Sequence, residues 1–491
     1  MPTSLLRSVS RRARTSAPPR FTHDDTAAQL HLLRRATWGP SPSTIAEIAQ
    51  LGTSGWLERQ LNPGVVDDAA MDAYTGRLQY YTRTPESLRT GGYDAVGWMP
   101  MFEVAWLTLA RQVWSRRQLV EVVVDVWNNL LHVTCPSPDV WDNRQDYDRN
   151  VIRRHALGTF PDLLVASAKS QSMLAYLDNA NSSANAPNEN YGRELLELHT
   201  IGIGAGYSEA DVMNSARLLT GLTIAANGST TFDPGRHDGG GRTIYGFVVQ
   251  PHAPADGLGW IEAYLRWLAV HPLTARRIST RIATRFVSDT PPASLVDLMT
   301  QTWLATGGAI VPVLRVMFAS EEFWASARQK VRTPQEDFVA TLRTLGTGME
   351  TSGTAGLDQI YWHTRNGGHA ALAWLSPNGY PDVAAAWASP SSTLSRWNRH
   401  MDFAGGWYPP QLKFASPLEV LGAVPSTWGG LVDALAVRLV GFPLSADERA
   451  GLLQYAARSA NAPCSANDPW VKNNLQYLIA LTLDGPSFST R

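Results

Sequence analysis

Cysteine is nearly absent from this chain: Cys135 and Cys464 are the only two in 491 residues. Two distant thiols make at most one disulfide and no framework, and without a CxxC pair a thiolate-bound structural zinc is disfavoured. Charge is also scarce. Charged residues make up 17% of the chain, and 42 basic residues stand against 43 acidic ones, for a formal net charge of −1. That balance gives no electrostatic reason to expect nucleic acid or an acidic membrane as partner. No uninterrupted apolar run is long enough to span a bilayer, so the chain reads as soluble. The sequence also lacks a GxSxG elbow, an HExxH helix, a GxxxxGK[ST] loop and a GxGxxG after a strand, which disfavours nucleotide-dependent chemistry. Gly202, Gly204 and Gly206 follow a helix rather than a strand and read as its C-terminal turn.

What is present is a helix-rich chain with a sizeable core. Apolar residues reach 44%, and eighteen tryptophans suit core and interface packing more readily than a binding surface. Helical spacing is expected over 28–61, with stops at Gly39-Pro40 and Gly52. There His31, Arg34 and Arg35 read as a solvated basic face. A long segment over 99–133 ends in VVVDVWNNLLHVT, where Asp125, Asn129 and His132 follow i, i+4, i+7 spacing and share one face, a polar stripe that either faces a cavity or bonds to neighbouring backbone. Residues 223–260 read instead as a short hairpin or irregular insertion carrying His237-Asp238, followed by a strand-like TIYGFVV. The fold class expected is mainly α: a large multi-helical domain with a small β-containing insertion. Residues 1–27 read as a disordered basic tail, 28–410 as the main helical domain with its insertion at about 223–258, and 411–491 as a C-terminal helical segment of the same domain. Ser10-Arg11-Arg12 is not followed by the apolar run of a twin-arginine leader, which favours a cytoplasmic protein.

The densest concentration of chemistry-bearing residues is Tyr176 to Leu222. A loop with Asp178, Asn179, Asn181, Asn188, Glu189 and Asn190 offers oxygen donors of the kind calcium takes, though Asn-rich loops also cap helices. A short helix follows with Arg193, Glu194, Glu197 and His199. Glu194 and Glu197 are i, i+3 neighbours whose carboxylates could share a cation, while Arg193 and Glu197 are spaced for an ordinary salt bridge. Leu196 stands where a Glu-x-x-His pair would need its carboxylate, and His199 points away from Glu197 if the helix continues. A second cluster would gather His199, His237, His252 and His132 from separate elements, with Asp238 orienting an imidazole.

Several segments carry a resemblance: HLLRRATWGP, YGRELLELHT, GYSEADV with ARLLTG, RHDGGGRTIYGF, HPLTARRI with RFVSDTPP, KVRTPQEDFVATLRTLG, and LSPNGYPD. Together they resemble the DUF1800 family over about residues 28 to 410. The resemblance implies a helical bacterial protein of unestablished activity, in a family whose members often look exported and sit beside a DUF1501 gene with sulfatase-like products. It therefore implies a DUF1501-like partner. One departure is local. Where related sequences read like WSNHLNV, this chain reads Trp127-Asn128-Asn129-Leu130-Leu131-His132-Val133. The histidine stands two positions late, a turn of about 200° on a helix.

Two function classes follow. One is a metal-dependent or hydrolase-like enzyme, with Glu194, Glu197, His199 and Arg193 as catalytic groups and His199, His237, Asp238 and Glu197 as ligands to a divalent metal ion. Its pocket would be walled by residues 188–199, 237–238 and 128–132. The other is a non-catalytic binding or assembly protein working with a neighbouring gene product.

Overall fold

Trp38 closes the first helical segment and is 3% exposed, with the Arg285 guanidinium lying over its ring at 5.2 Å. The helix before it, Thr26–Ala36, is capped by Asp25, whose side chain accepts the Ala28 N–H. The computed structural model describes residues 23–491, so most of the expected basic tail lies outside the described residues. From Asp24 onward the chain is built into the fold, with Asp24 Oδ1 accepting the Thr53 N–H at 2.7 Å. His31, Arg34 and Arg35 are buried rather than solvated, which corrects the sequence expectation. Their polar ends serve main-chain carbonyls of distant segments: His31 Nε2 meets Phe323 O, Arg34 meets Val440 O and Thr490 O, and Arg35 meets Ser326 O. Carbonyls at helix ends lack intrahelical donors, and arginine is well suited to supply them.

The architecture is mainly α-helical, with two small antiparallel two-stranded sheets among the described residues. Capping chemistry sets many boundaries. Ser41 opens Pro42–Leu61, Ser208 opens Glu209–Leu219 and Thr333 opens Pro334–Thr344, each in a reciprocal capping box. Gly52, at φ +68°, breaks the first of these into two helices. The long segment after residue 98 is two helices, Met99–Trp114 and Gln118–Leu130, separated at Ser115.

Pro334–Thr344 is buried along its whole length although it carries Gln335, Glu336, Asp337 and Arg343. A helix buried on all sides is normally apolar; here each polar side chain has a partner, as burial demands. Glu336 pairs with Arg285, Asp337 with His400, Gln335 with Gln112, and Arg343 with the carbonyls of Gly39 and Val113. This helix packs on Met99–Trp114, while Pro272–Phe286 packs on Gln118–Leu130. The C-terminal part joins the same framework: Pro469–Asp484 packs on Pro390–Ala404, and Val331 forms an antiparallel bridge with Thr490.

The insertion contains two hairpins, Leu222–Ile224 with Thr230–Phe232 and Arg242–Ile244 with Phe247–Val249. The run TIYGFVV, expected as one strand, folds back on itself at Tyr245-Gly246, both with positive φ, as tight hairpin turns require. Both cysteines are free and buried. No helix among the described residues is long and apolar enough to cross a membrane.

Candidate functional site

The residues expected to form a site fall into three separate environments. Arg193, Glu194 and Glu197 lie on Glu189–Glu194 and the π-helical turn Leu195–His199 that continues it. Arg193 is bound to Glu209 and lies 3.5 Å from Glu197, whose Oε1 also accepts a hydrogen bond from Tyr207 Oη at 2.5 Å. Burial, and then the neighbouring Glu197, raise the Glu194 carboxyl. His199 is fully buried on the opposite side, near Tyr191, with both ring nitrogens unpartnered. Burial pushes its pKa down to about 3, so it is neutral. The π turn leaves Glu197 and His199 facing different surroundings.

His237 and Asp238 form the second environment. Asp238 is bound to Arg217 and Arg242. His237 Nε2 lies 3.0 Å from His252 Nε2, and both outer Nδ1 atoms face carbonyls, Thr220 O at 2.7 Å and Gln250 O at 2.8 Å. Burial lowers the His237 pKa, and the neighbouring His252 adds to that, against the Thr220 carbonyl. The third environment holds His132, whose Nε2–H donates to Trp374 O at 2.8 Å. Among the described residues no group of three or more His, Cys, Asp or Glu side chains is placed to share a metal ion. Glu197, His199 and His237 therefore do not form one centre.

Charged side chains do converge elsewhere, in a partly open cavity of about 340 Å³. Its wall comes from Trp38, from Asp125 and Asn129 on Gln118–Leu130, from Arg281 and Arg285 on Pro272–Phe286, from Thr333, from His369, and from the loop Trp374–Asp382. Four of the segments that carry the family resemblance meet here: HLLRRATWGP, the stretch from HPLTARRI to RFVSD, KVRTPQEDF and LSPNGYPD. Asp125 and Asn129 of the polar stripe face this cavity, whereas His132 lies past the helix end and holds the Trp374 carbonyl instead.

The cavity floor is an ion network. Arg285 pairs with Glu336 and lies 3.8 Å from Asp382; Lys330 holds Asp289 at 2.8 Å and Asp382 at 3.1 Å; Arg491 reaches Glu336 at 3.2 Å. Burial alone would raise the Asp382 carboxyl, but Lys330, then Arg285 and Arg491, hold its pKa down at about 2. The network leaves two charged groups at the wall without partners. Among the described residues neither the Asp125 carboxylate nor the Arg281 guanidinium finds a hydrogen-bond or ion-pair partner, and both are half-buried. Burial pushes the Asp125 pKa up to about 6, against the pull of Arg285. Burial lowers that of Arg281, against the pull of Asp382 and Asp125. Three further buried nitrogens at the wall also lack an acceptor: Trp38 Nε1 and Arg285 Nε and Nη2. All three can only donate. His369, sandwiched between Trp387 at 4.5 Å and Tyr380 at 4.0 Å, is held neutral by burial, with a pKa of about 3.

The arrangement offers the Arg281 guanidinium to an anionic ligand, with the Asp125 carboxyl, raised by burial to about 6, in the same cavity. Of these residues, Asp125 and Asn129 were readable as a shared polar face. Arg281 had a weaker signal, as the middle of the i+4 series Arg277, Arg281, Arg285 on one helix.

Fold and site together define a mainly α-helical protein whose helices converge on a charged, aromatic-lined cavity. The chain belongs to the DUF1800 family, described as a protein of unknown function, whose model matches residues 31–490. No curated protein and no solved structure matches it.

Proposed function

We propose that the cavity is the active site of an acid–base enzyme of hydrolase-like type acting on an anionic substrate. Arg281 takes the anionic group and Asp125 exchanges a proton with the reacting atom. The observation that carries this reading is the pair of unpartnered charges, Asp125 and Arg281, in one cavity of a protein whose other buried charges are largely paired. A guanidinium without a carboxylate partner is a ready receptor for a carboxylate or phosphate. A carboxyl with a pKa near the working pH is suited to both donate and accept a proton.

The test is direct. Calorimetric titration with inorganic phosphate and with propionate is expected to show binding that Arg281→Gln weakens by about tenfold or more, the worth of one charge-assisted hydrogen bond. Asp125→Asn is expected to keep anion binding while abolishing turnover across a panel of anionic esters. Anion affinity indifferent to Arg281→Gln would refute the assignment.

A second reading, a non-catalytic partner of a DUF1501-like product, is favoured by exposed Leu394 and Trp397, three apart on Pro390–Ala404, with Trp407 just past that helix. Co-purification that Trp397→Ser abolishes would support it.

A further inference from the structure

We infer that the substrate is amphipathic, an anionic head joined to an apolar arm, and that the arm lies in a second cavity adjoining the first. This rests on the reading that Arg281 holds the head group. The second cavity has a volume of about 630 Å³ and is lined mainly by apolar surface from Trp98, Phe102, Pro136, Ala370, Ala373 and Leu375. Trp374 and Tyr380 line both cavities, so the two chambers meet across these rings.

The ring pair is held in place from behind. Asn129 Oδ1 accepts the Tyr380 N–H, while the Trp374 carbonyl accepts from His132 Nε2 and Thr134 Oγ1. The first chamber concentrates charge, whereas Arg365 is the one charged residue lining the second, its guanidinium lying over the Trp362 ring at 5.2 Å. Leu375 at the rim is 86% exposed and Trp98 is 38% exposed. Large apolar side chains left in water around a concave apolar cavity are the usual mark of an apolar ligand site. The charged chamber, about half the volume of its neighbour, suits a head group, and the larger one suits an alkyl or aryl arm.

Calorimetric titration with propionate, hexanoate, decanoate and 4-phenylbutyrate tests this on the full chain. Affinity is expected to rise about threefold per added methylene until the second chamber is filled. Narrowing that chamber with Ser376→Trp, at the exposed rim, or with Ala373→Leu is expected to flatten the rise and leave propionate affinity unchanged. Equal affinity for propionate and decanoate, or a rise that both variants leave intact, overturns the amphipathic substrate while leaving the anion site standing. Propionate binding indifferent to Arg281→Gln removes the head-group reading and this inference with it.

Discussion

The side-chain oxygen of Asn129 accepts the main-chain N–H of Tyr380 at 3.0 Å, and Gly379 lies directly against the Asn129 carbonyl. A Cβ at position 379 would stand 2.1 Å from that oxygen, and the residue has φ +69°. Both the space and the backbone angle therefore demand glycine. The contact seats the Trp374–Asp382 loop on the end of Gln118–Leu130, and so places Tyr380 and Asp382 at the cavity. Gly379→Ala is expected to cost about 3 kcal/mol or more in urea unfolding and to abolish anion binding. Asn129→Ala removes one hydrogen bond and is expected to cost about 1 kcal/mol. Gly379→Ala with unchanged stability would mean that the loop is not seated this way.

Asp125 gives the site a pH dependence whose sign follows from its charge. Its pKa stands at about 6, raised by burial. Above that value it is a carboxylate that repels an anion on Arg281; below it the repulsion is gone. Propionate, a monoanion throughout this range, is therefore expected to bind more tightly as the pH falls from 8 through 6, and Asp125→Asn is expected to flatten that profile at its tight end. The stability effect runs the same way. A carboxyl whose folded pKa exceeds its unfolded one costs stability as the pH rises between the two values. At pH 7.5 Asp125→Asn is expected to stabilise the protein by about 1–2 kcal/mol, allowing for partial solvent access.

How much of this was legible in the sequence depends on the distance over which each feature is assembled. Local features were readable because their physics is local. Helix starts at Ser41 and Ser208 need only neighbouring residues, and so does the break at Gly52. The Tyr245-Gly246 turn was less legible, because tyrosine is not one of the residues that usually precede glycine in a tight hairpin turn. Burial of Arg34 and Arg35 could not be read locally, because the carbonyls that bind them belong to residues about 290 to 460 positions away. The cavity is the extreme case. It draws on six stretches between Trp38 and Asp382, and its unpaired arginine looks in sequence like one more residue of a basic helix face. Asp125 was the exception, since a carboxylate inside a valine-rich helix requires either a partner or a function.

His400 supplies a second test of the buried ion pairs. It is fully buried between Asp337 and Asp484, at 2.9 Å and 2.7 Å. Burial disfavours its charge, but the two carboxylates prevail and raise its pKa to about 9. Because the folded pKa exceeds the unfolded value, its contribution is complete below about pH 6.5 and is lost as the pH rises through about 9. Urea midpoints are expected to fall over that window in the wild type. His400→Leu, which leaves Asp337 and Asp484 with only the more distant Arg396, 3.9 Å from Asp337, is expected to lose about 3–5 kcal/mol at pH 7. A flat midpoint between pH 6.5 and 9.5 would count against a charged His400.

One variant in each place separates the charged cavity from the acidic helix turn at residues 189–199. Glu197 is already engaged by Tyr207 and Arg193, and Arg193 in turn by Glu209. Among the described residues Arg281 has no such partners. Glu197→Gln keeps an acceptor for the Tyr207 hydroxyl, so it is expected to change stability by less than about 1 kcal/mol, as for exposed ion pairs. It is also expected to leave propionate affinity within about twofold, because the charge it removes is paired away from the cavity. Arg281→Gln is expected to do the reverse: little change in melting temperature, since no partner is left uncompensated, and a drop in propionate affinity of about tenfold to a hundredfold. Measured side by side in one buffer, the two variants distinguish the sites. A fall in affinity in Glu197→Gln, with Arg281→Gln unaffected, would move the chemistry to the Glu189–His199 segment and leave the charged cavity a structural feature.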